Sequence, residues 1–416
     1  MASIKLVEKM VVFPEKPTNR RRIFLSNIDL GLVAYQESVA FYDPPSNQMS
    51  FSESCQRLHS ALCRLLVDYD FFAGRLVPSL EDSRRLEIDC NGAGAVFAMA
   101  TTETALSQLI DGMAPRPALE QFVAFLTQLK CGSLALTSRY NHCVLDGVGV
   151  REIQGNIAAL TRGEELVIIP NPDRTIFRAR NPPIVNHPHH EYSRGTDTDN
   201  LYTVHCRSGI GIEQCPNCIV YLSPHRIANL KKAGLGEGKL QNCTTFEVVA
   251  AKIWKARSIA LEMDDEKVST MLFPVDTRKR MVPQAPKGFA GNALIPGFAR
   301  ARVRELKDEE DNALVKKVRE GVERLNDEYI RSSIDWLEVN KGVPCREESF
   351  SLVSWWRIGY EEDEFAWGKI KYSTPIVVKP GLVFLLPGPQ GEGGLNICLE
   401  LPEHQFEEFR RIMTED

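Results

Sequence analysis

The chain has 416 residues, 43% hydrophobic and 25% charged, with a net charge of −5 and a pI of about 6.0. That is the balance of a globular protein too long for one ordinary core, and it predicts two domains of roughly 200 residues. A mildly acidic chain lacks the basic footprint of a nucleic-acid binder, so no nucleic-acid partner is expected; the short runs Arg20-Arg21-Arg22 and Arg278-Lys279-Arg280 read as solvated faces or phosphate contacts.

The opening MASIKLVEKMVVFPEKP lacks the apolar core of a secretory signal. Charges and prolines interrupt every apolar run short of the roughly 18–20 residues of a membrane span. A cytosolic protein with no transmembrane segment is expected, and a monomer. Eleven cysteines without framework spacing read as free thiols in a reducing compartment, buried at Cys63, Cys131 and Cys398. Segment 51–67, FSESCQRLHSALCRLLV, has the apolar spacing of a helix, with Ser52 or Ser54 as its cap. Residues 133–142 alternate as a strand that places Leu134, Leu136, Ser138, Tyr140 and His142 on one face. Gly147 and Gly149 follow, and VREIQGNIAALTRG reads as a helix.

From 169 to 205, prolines 170, 172, 182, 183 and 188 exclude regular helix and predict a long crossover. The division drawn is 1–170, a crossover over 171–210, and 211–416. Beyond it, NCIVYLSP reads as a strand and Pro224–Ala233 as a helix. TTFEVVAAKIWKARSIALE (244–262) is a helix with Thr244 or Thr245 as its cap and Glu247 in its first turn. KDEEDNALVKKVREGVERLNDEY (307–329) reads as one surface helix. SLVSWW, PIVVKPGLVFLLP and LNICLEL read as strands, GPQGEGG (388–394) as the turn before the last of them, and HQFEEFRRIM as a closing helix. Interleaved strands and helices predict an α/β chain.

The stretch NHCVLDG (141–147) offers the clearest chemistry. A histidine has a free pKa near 6.5 and can take and return a proton at neutral pH. Two readings stand for His142 and Asp146: a strand-end histidine beside a helix cap, or a base projecting into a cleft with Asp146 as a fold pin. No Gly-x-Ser-x-Gly elbow supplies a nucleophile, so in the second reading His142 deprotonates an alcohol or amine that attacks an acyl donor.

Six segments in register resemble the plant BAHD acyltransferases, which move acyl groups from coenzyme A thioesters to alcohols or amines. They are FFAGRL (71–76), NHCVLDG, DRTIFRARNPP (173–183) with PHHEY (188–192), TTFEVVAAKIW (244–254), DTRKRMVPQAPKGFAGNAL (276–294) and SWWRIGYEEDEFAWGK (354–369). The resemblance implies a fold similar to chloramphenicol acetyltransferase: two similar α/β domains with mixed sheets flanked by helices, and His142 in a tunnel between them. It implies His142 as general base, and Asp146 and Gly147 as structural, with Asp146 paired to Arg278. Trp355 would border the reacting carbonyl, with its indole N–H as a donor to the oxyanion, or serve as an aromatic core anchor. Trp367 and Gly368 would lie near the coenzyme channel. The coenzyme phosphates are assigned to the helix N-terminus at Thr244 and Thr245. The expected co-substrate is acyl-CoA, with no tightly bound cofactor, and the crossover wording resembles members that use hydroxycinnamoyl-CoA. Three departures stand out: Glu364 in place of the motif aspartate, Ala366 in place of a glycine able to take φ > 0, and Val353 in place of threonine.

The resemblance also covers plant relatives that keep the histidine motif but serve as non-catalytic accessories in very-long-chain lipid or wax elongation, so that alternative stands beside the enzyme. Peptide-synthetase condensation domains share the motif but usually show two adjacent histidines, where Asn141 precedes His142 here. His205-Cys206 with Cys215-x-x-Cys218 departs from zinc-ligand spacing, and no metal is expected. His187, His189 and His190 read as solvated loop residues.

Overall fold

The computed structural model describes residues 4–109, 119, 125–194, 217–345 and 348–415. Two mixed sheets organise the chain. The first runs, in spatial order, through Ile4–Val12, Ala95–Thr102, Phe125–Gln128, Leu134–Asn141, Tyr35–Tyr42, Gly368–Pro375 and Glu364–Phe365. The second runs through Asn217–Leu222, Leu395–Glu400, Leu382–Pro387, Ser349–Ser354, Val268–Asp276 and Leu294–Arg302. The last two strands of the first sheet come from the C-terminal part of the chain: Gly368–Pro375 pairs antiparallel with Tyr35–Tyr42. The two halves are thereby stitched by backbone hydrogen bonds as well as by side chains.

The helices cover these sheets with their apolar stripes. Phe51–Asp68 buries Leu58, Ala61, Leu65 and Leu66 of the apolar spacing, with Cys55 added and Leu62 only partly buried. Its cap is Ser50, not Ser52 or Ser54: Ser50 Oγ accepts from Glu53 N–H at 3.1 Å, and Ser54 lies inside the helix with its hydroxyl turned back to the Ser50 carbonyl. Thr245–Ala260 is capped by Thr244 as expected. Its Trp254 is fully buried in the second core, and the indole N–H is satisfied by Ser269 Oγ at 2.9 Å.

The single helix expected over 307–329 is three elements, Val303–Asp308, Asp311–Glu323 and Asp327–Asn340. Glu310 and Asn326 take extended backbone as N-caps, and Asn326 accepts from Tyr329 N–H. Uniform charge hid these breaks, and it also hid the buried stripe Leu314, Val315, Val318 and Gly321. GPQGEGG does join two paired strands. Cys398 is buried, but Cys131 is exposed, with its thiol held by Leu106 N–H and Ser133.

Candidate active site

The Leu134–Asn141 strand ends at the turn that carries His142. Two bonds fix the histidine backbone: its N–H donates to the Ala34 carbonyl at 2.8 Å, and its carbonyl accepts from Asn292 Nδ2 at 2.8 Å. Nδ1 of the ring is sealed from solvent and makes no hydrogen bond, while the residue as a whole is only half-buried. The accessible edge is therefore the one that carries Nε2. Burial lowers the imidazole pKa below its ordinary 6.5; the histidine's own carbonyl, Asp146, Asn292 and Asp29 act in the opposite direction.

The Asp146 carboxylate is engaged elsewhere and makes no hydrogen bond to this ring. It caps the Gly147–Thr161 helix, accepting from Gly149 N–H at 3.1 Å. Its carboxylate also takes a two-pronged bond from Arg278 at 2.9 and 2.8 Å, and the Ala293 N–H at 2.9 Å. These four donors use its lone pairs, and none of them belongs to His142. Because Arg278 and Ala293 come from the second half, the pair ties the histidine turn across the junction between the two sheets.

A second buried network, absent from the sequence reading, supports the same turn. Asn292 Nδ2 bonds both the His142 carbonyl and Asp29 Oδ1, the latter at 2.9 Å. Asp29 also receives the Asn292 N–H at 3.0 Å and lies 3.4 Å from Arg174, both side chains being fully buried. Arg174 in turn donates to the Val144 carbonyl at 2.8 Å. The crossover thus reaches into the turn between His142 and Asp146 and holds its backbone.

Trp355 approaches from the Ser349–Ser354 strand. Its ring meets Tyr360 edge-on at 5.9 Å and Phe384 at 5.4 Å. Tyr360 Oη lies 3.4 Å from the Gly147 carbonyl, and a Cβ on Gly147 would stand 3.2 Å from Ile358. The lack of a side chain at Gly147 lets the segment after Trp355 close on the histidine turn. Tyr140 lies two residues before His142, its ring centroid 6.3 Å from the imidazole. His142, Asp146, Gly147, Arg278 and the Trp355 segment therefore form one assembly.

Comparison with known proteins decides what kind of assembly this is. The model of the Transferase family matches residues 2–416. The chain is 33% identical to Acyltransferase GLAUCE of Arabidopsis thaliana, over 98% of this chain and 94% of that protein. It is 30% identical to the omega-hydroxypalmitate O-feruloyl transferase of the same plant, over 97% and 91%. The chain belongs to the BAHD acyltransferase family. The fold agrees: the F. graminearum protein solved with coenzyme A and deoxynivalenol superposes with a TM-score of 0.77 at 17% identity, over 93% of this chain and 96% of that one. BAHD proteins are acyl-CoA-dependent acyltransferases, and this chain is one.

Other segments that resemble BAHD motifs make contacts of their own. Trp367 is 2% exposed and packs on Tyr42 and Phe365 in the first core, so it offers no face to a coenzyme. Gly368 takes φ +132° at the start of its strand, and Ala366 avoids positive φ, so the alanine is accommodated. Glu364 is exposed. The preceding residue, Asp363, receives Arg151 Nη1 at 2.8 and 2.7 Å and Gln154 at 2.9 Å.

At the helix N-terminus, Thr244 accepts from Glu247 N–H, and the Glu247 carboxylate bonds back to Thr244 N–H at 2.8 Å and to Arg319 at 3.0 Å. An anion already sits there, which competes with a coenzyme phosphate at Thr244 and the buried Thr245.

His189 is not solvated. Its Nδ1 bonds Glu191 at 2.7 Å and its Nε2 bonds Ser332 Oγ at 2.9 Å. The array has the look of a catalytic triad, but Ser332 is fully buried and its Oγ already takes the N–H groups of Asn186 and His187, so it fastens the crossover to the Asp327–Asn340 helix. His205, Cys206 and Cys215 lie outside the described residues, and Cys218 is buried beside the Leu401 carbonyl. No helix among the described residues is long and apolar enough to cross a membrane.

Proposed function

We propose that the protein transfers an acyl group, of hydroxycinnamoyl type, from coenzyme A to the hydroxyl of a small aliphatic or phenolic acceptor, with His142 as general base. The observation that carries this reading is the division of labour in the turn: Asp146 is fully engaged by Arg278, Ala293 and Gly149, while His142 keeps Nε2 toward the accessible side. With Nδ1 sealed from solvent, Nε2 is the ring nitrogen left to accept the proton of a bound acceptor. A lowered pKa keeps that nitrogen unprotonated at neutral pH.

The acceptor O–H gives its proton to Nε2 as its oxygen bonds to the thioester carbonyl carbon. The carbonyl π electrons move to oxygen, where the Trp355 indole N–H donates to the oxyanion. The carbon–oxygen double bond re-forms, the carbon–sulfur bond breaks, and the coenzyme thiolate takes the proton back from His142. No enzyme nucleophile is required. The substrate class follows the feruloyl transferase relative and the crossover sequence, and coenzyme A follows the family and the complex of the structural relative.

The test incubates purified protein with a panel of acyl-CoAs against ω-hydroxy fatty acids, fatty alcohols, phenols and amines, following thiol release. Turnover with a hydroxycinnamoyl thioester and a hydroxylated acceptor is expected. Thiol release confined to short aliphatic thioesters, or to amine acceptors, rejects the substrate assignment.

A further inference from the structure

A cleft of about 760 Å³ shares no lining residue with the histidine site. It lies between the outer end of the Leu294–Arg302 strand, the start of the Asp327–Asn340 helix and the crossover at 187–190. Arg300 stands six residues along the strand from Leu294, whose neighbour Ala293 bonds Asp146. At about 3.3 Å per residue this places the cleft roughly 20 Å from the catalytic turn.

The lining is cationic and aromatic and contains no carboxylate. Arg302 is tied to Glu266 at 2.8 Å. Arg300 is exposed and has no carboxylate within ion-pair distance among the described residues. Arg324 has none either: its guanidinium stacks 4.1 Å above the Phe298 ring and donates to the Phe298 carbonyl at 3.3 Å. His190 meets the same ring edge-on at 6.1 Å, and His187 packs on Tyr329 at 5.1 Å. The buried carboxylate of Glu191, next to His190, is occupied by Tyr329 Oη and His189. The His190 pKa is lowered, first by burial and then by Arg300, with Arg324 adding to the effect and Glu191 opposing it.

We propose that this cleft binds a phosphate-bearing small molecule, with Arg300 and Arg324 on the phosphate oxygens and the Phe298 and Tyr329 rings against the body of the ligand. Two guanidiniums without a counter-ion match a phosphate monoester, close to a dianion at neutral pH, better than a single carboxylate. Their planar forks suit phosphate geometry. The phosphate has two sources to distinguish, the nucleotide end of the coenzyme, which rests on the acyl-transfer reading, and a free nucleotide, which does not.

The test is isothermal titration of the full chain, at physiological salt, with adenosine 3′,5′-bisphosphate, pyrophosphate and coenzyme A. The partners are wild type, Arg300→Glu and Arg300→Gln/Arg324→Gln. Arg300 is exposed, so Arg300→Glu leaves folding intact and keeps the test valid should the double variant unfold. Loss of charge-assisted bonds to phosphate is expected to weaken the bisphosphate by at least about tenfold. If coenzyme A weakens in parallel, the coenzyme is the source; if it binds as before, the ligand is a free nucleotide, and both results support the site. The proposal is overturned if neither phosphate probe binds the wild type below millimolar concentration, or if both bind Arg300→Glu as tightly as the wild type.

Discussion

Arg278→Ala isolates the tie between the two halves. Asp146 is fully buried, and the Arg278 side chain is only 12% exposed. Removing the guanidinium takes two bonds of 2.9 and 2.8 Å from a carboxylate that water cannot reach. Breaking a buried pair from one side costs about 3–5 kcal/mol, because the remaining charge is stranded. Asp146 keeps the N–H donors of Gly149 and Ala293, which places the expected cost near the lower bound, about 3 kcal/mol. At roughly 2–4 °C per kcal/mol for a unit of this size, Tm should fall on the order of 10 °C.

Asp146→Asn keeps the shape and leaves Arg278 on Asp276 at 3.0 Å and the Gly291 carbonyl at 3.2 Å, so its loss should be smaller. Thermal unfolding and urea titration read the stability, and thiol release per folded molecule reads the chemistry. If Asp146 acts only through the fold, Asp146→Asn keeps activity within about tenfold, whereas loss of a catalytic His–Asp dyad costs about 10⁴. A loss of four orders of magnitude with Tm unchanged would refute the fold-pin assignment.

Three further expectations follow from the same geometry. Asn292→Ala leaves the His142 carbonyl and Asp29 each short of a donor, so about 1–3 kcal/mol of stability should be lost, with kcat falling more than KM rises; a variant with wild-type kcat would remove Asn292 as a positioning residue. The acidic limb of kcat/KM should lie below pH 6.5, because burial lowers the His142 pKa, and Asp29→Asn should move it lower still by removing a charge that raises it; a limb above 6.5 contradicts the assignment. In stability terms, the unfolded chain binds the proton first, so the contribution of His142 is complete above about pH 6.5 and is lost as pH falls through the folded value. Trp355→Phe keeps the ring contacts to Tyr360 and Phe384 but deletes the indole donor, so kcat should fall about 10²–10³-fold with little change in KM, and an unchanged kcat would return Trp355 to a packing role.

What the sequence revealed was local. The Thr244 cap, the Phe51–Asp68 stripe, and the strand and turn around His142 each depend on residues a few positions apart. The Asp146–Arg278 pair was legible only through the family resemblance, since 132 residues separate the partners. Asp29, Arg174 and Asn292 were not legible, because a lone aspartate, arginine and asparagine carry no periodic signal until folding brings them together. His189 looked solvated because prolines and charges surround it; its partners Ser332 and Tyr329 lie far along the chain. The bonds of Asp363 to Arg151 and Gln154, beside an exposed Glu364, were not legible either, because their partners lie more than 200 residues away.

The most direct measurement is single-turnover thiol release by His142→Ala, with thioester binding measured in parallel. With His142 as the base, release should slow about 10²–10⁴-fold while the variant binds the thioester as the wild type does. A rate within tenfold of wild type would show that the proton leaves the acceptor by another route.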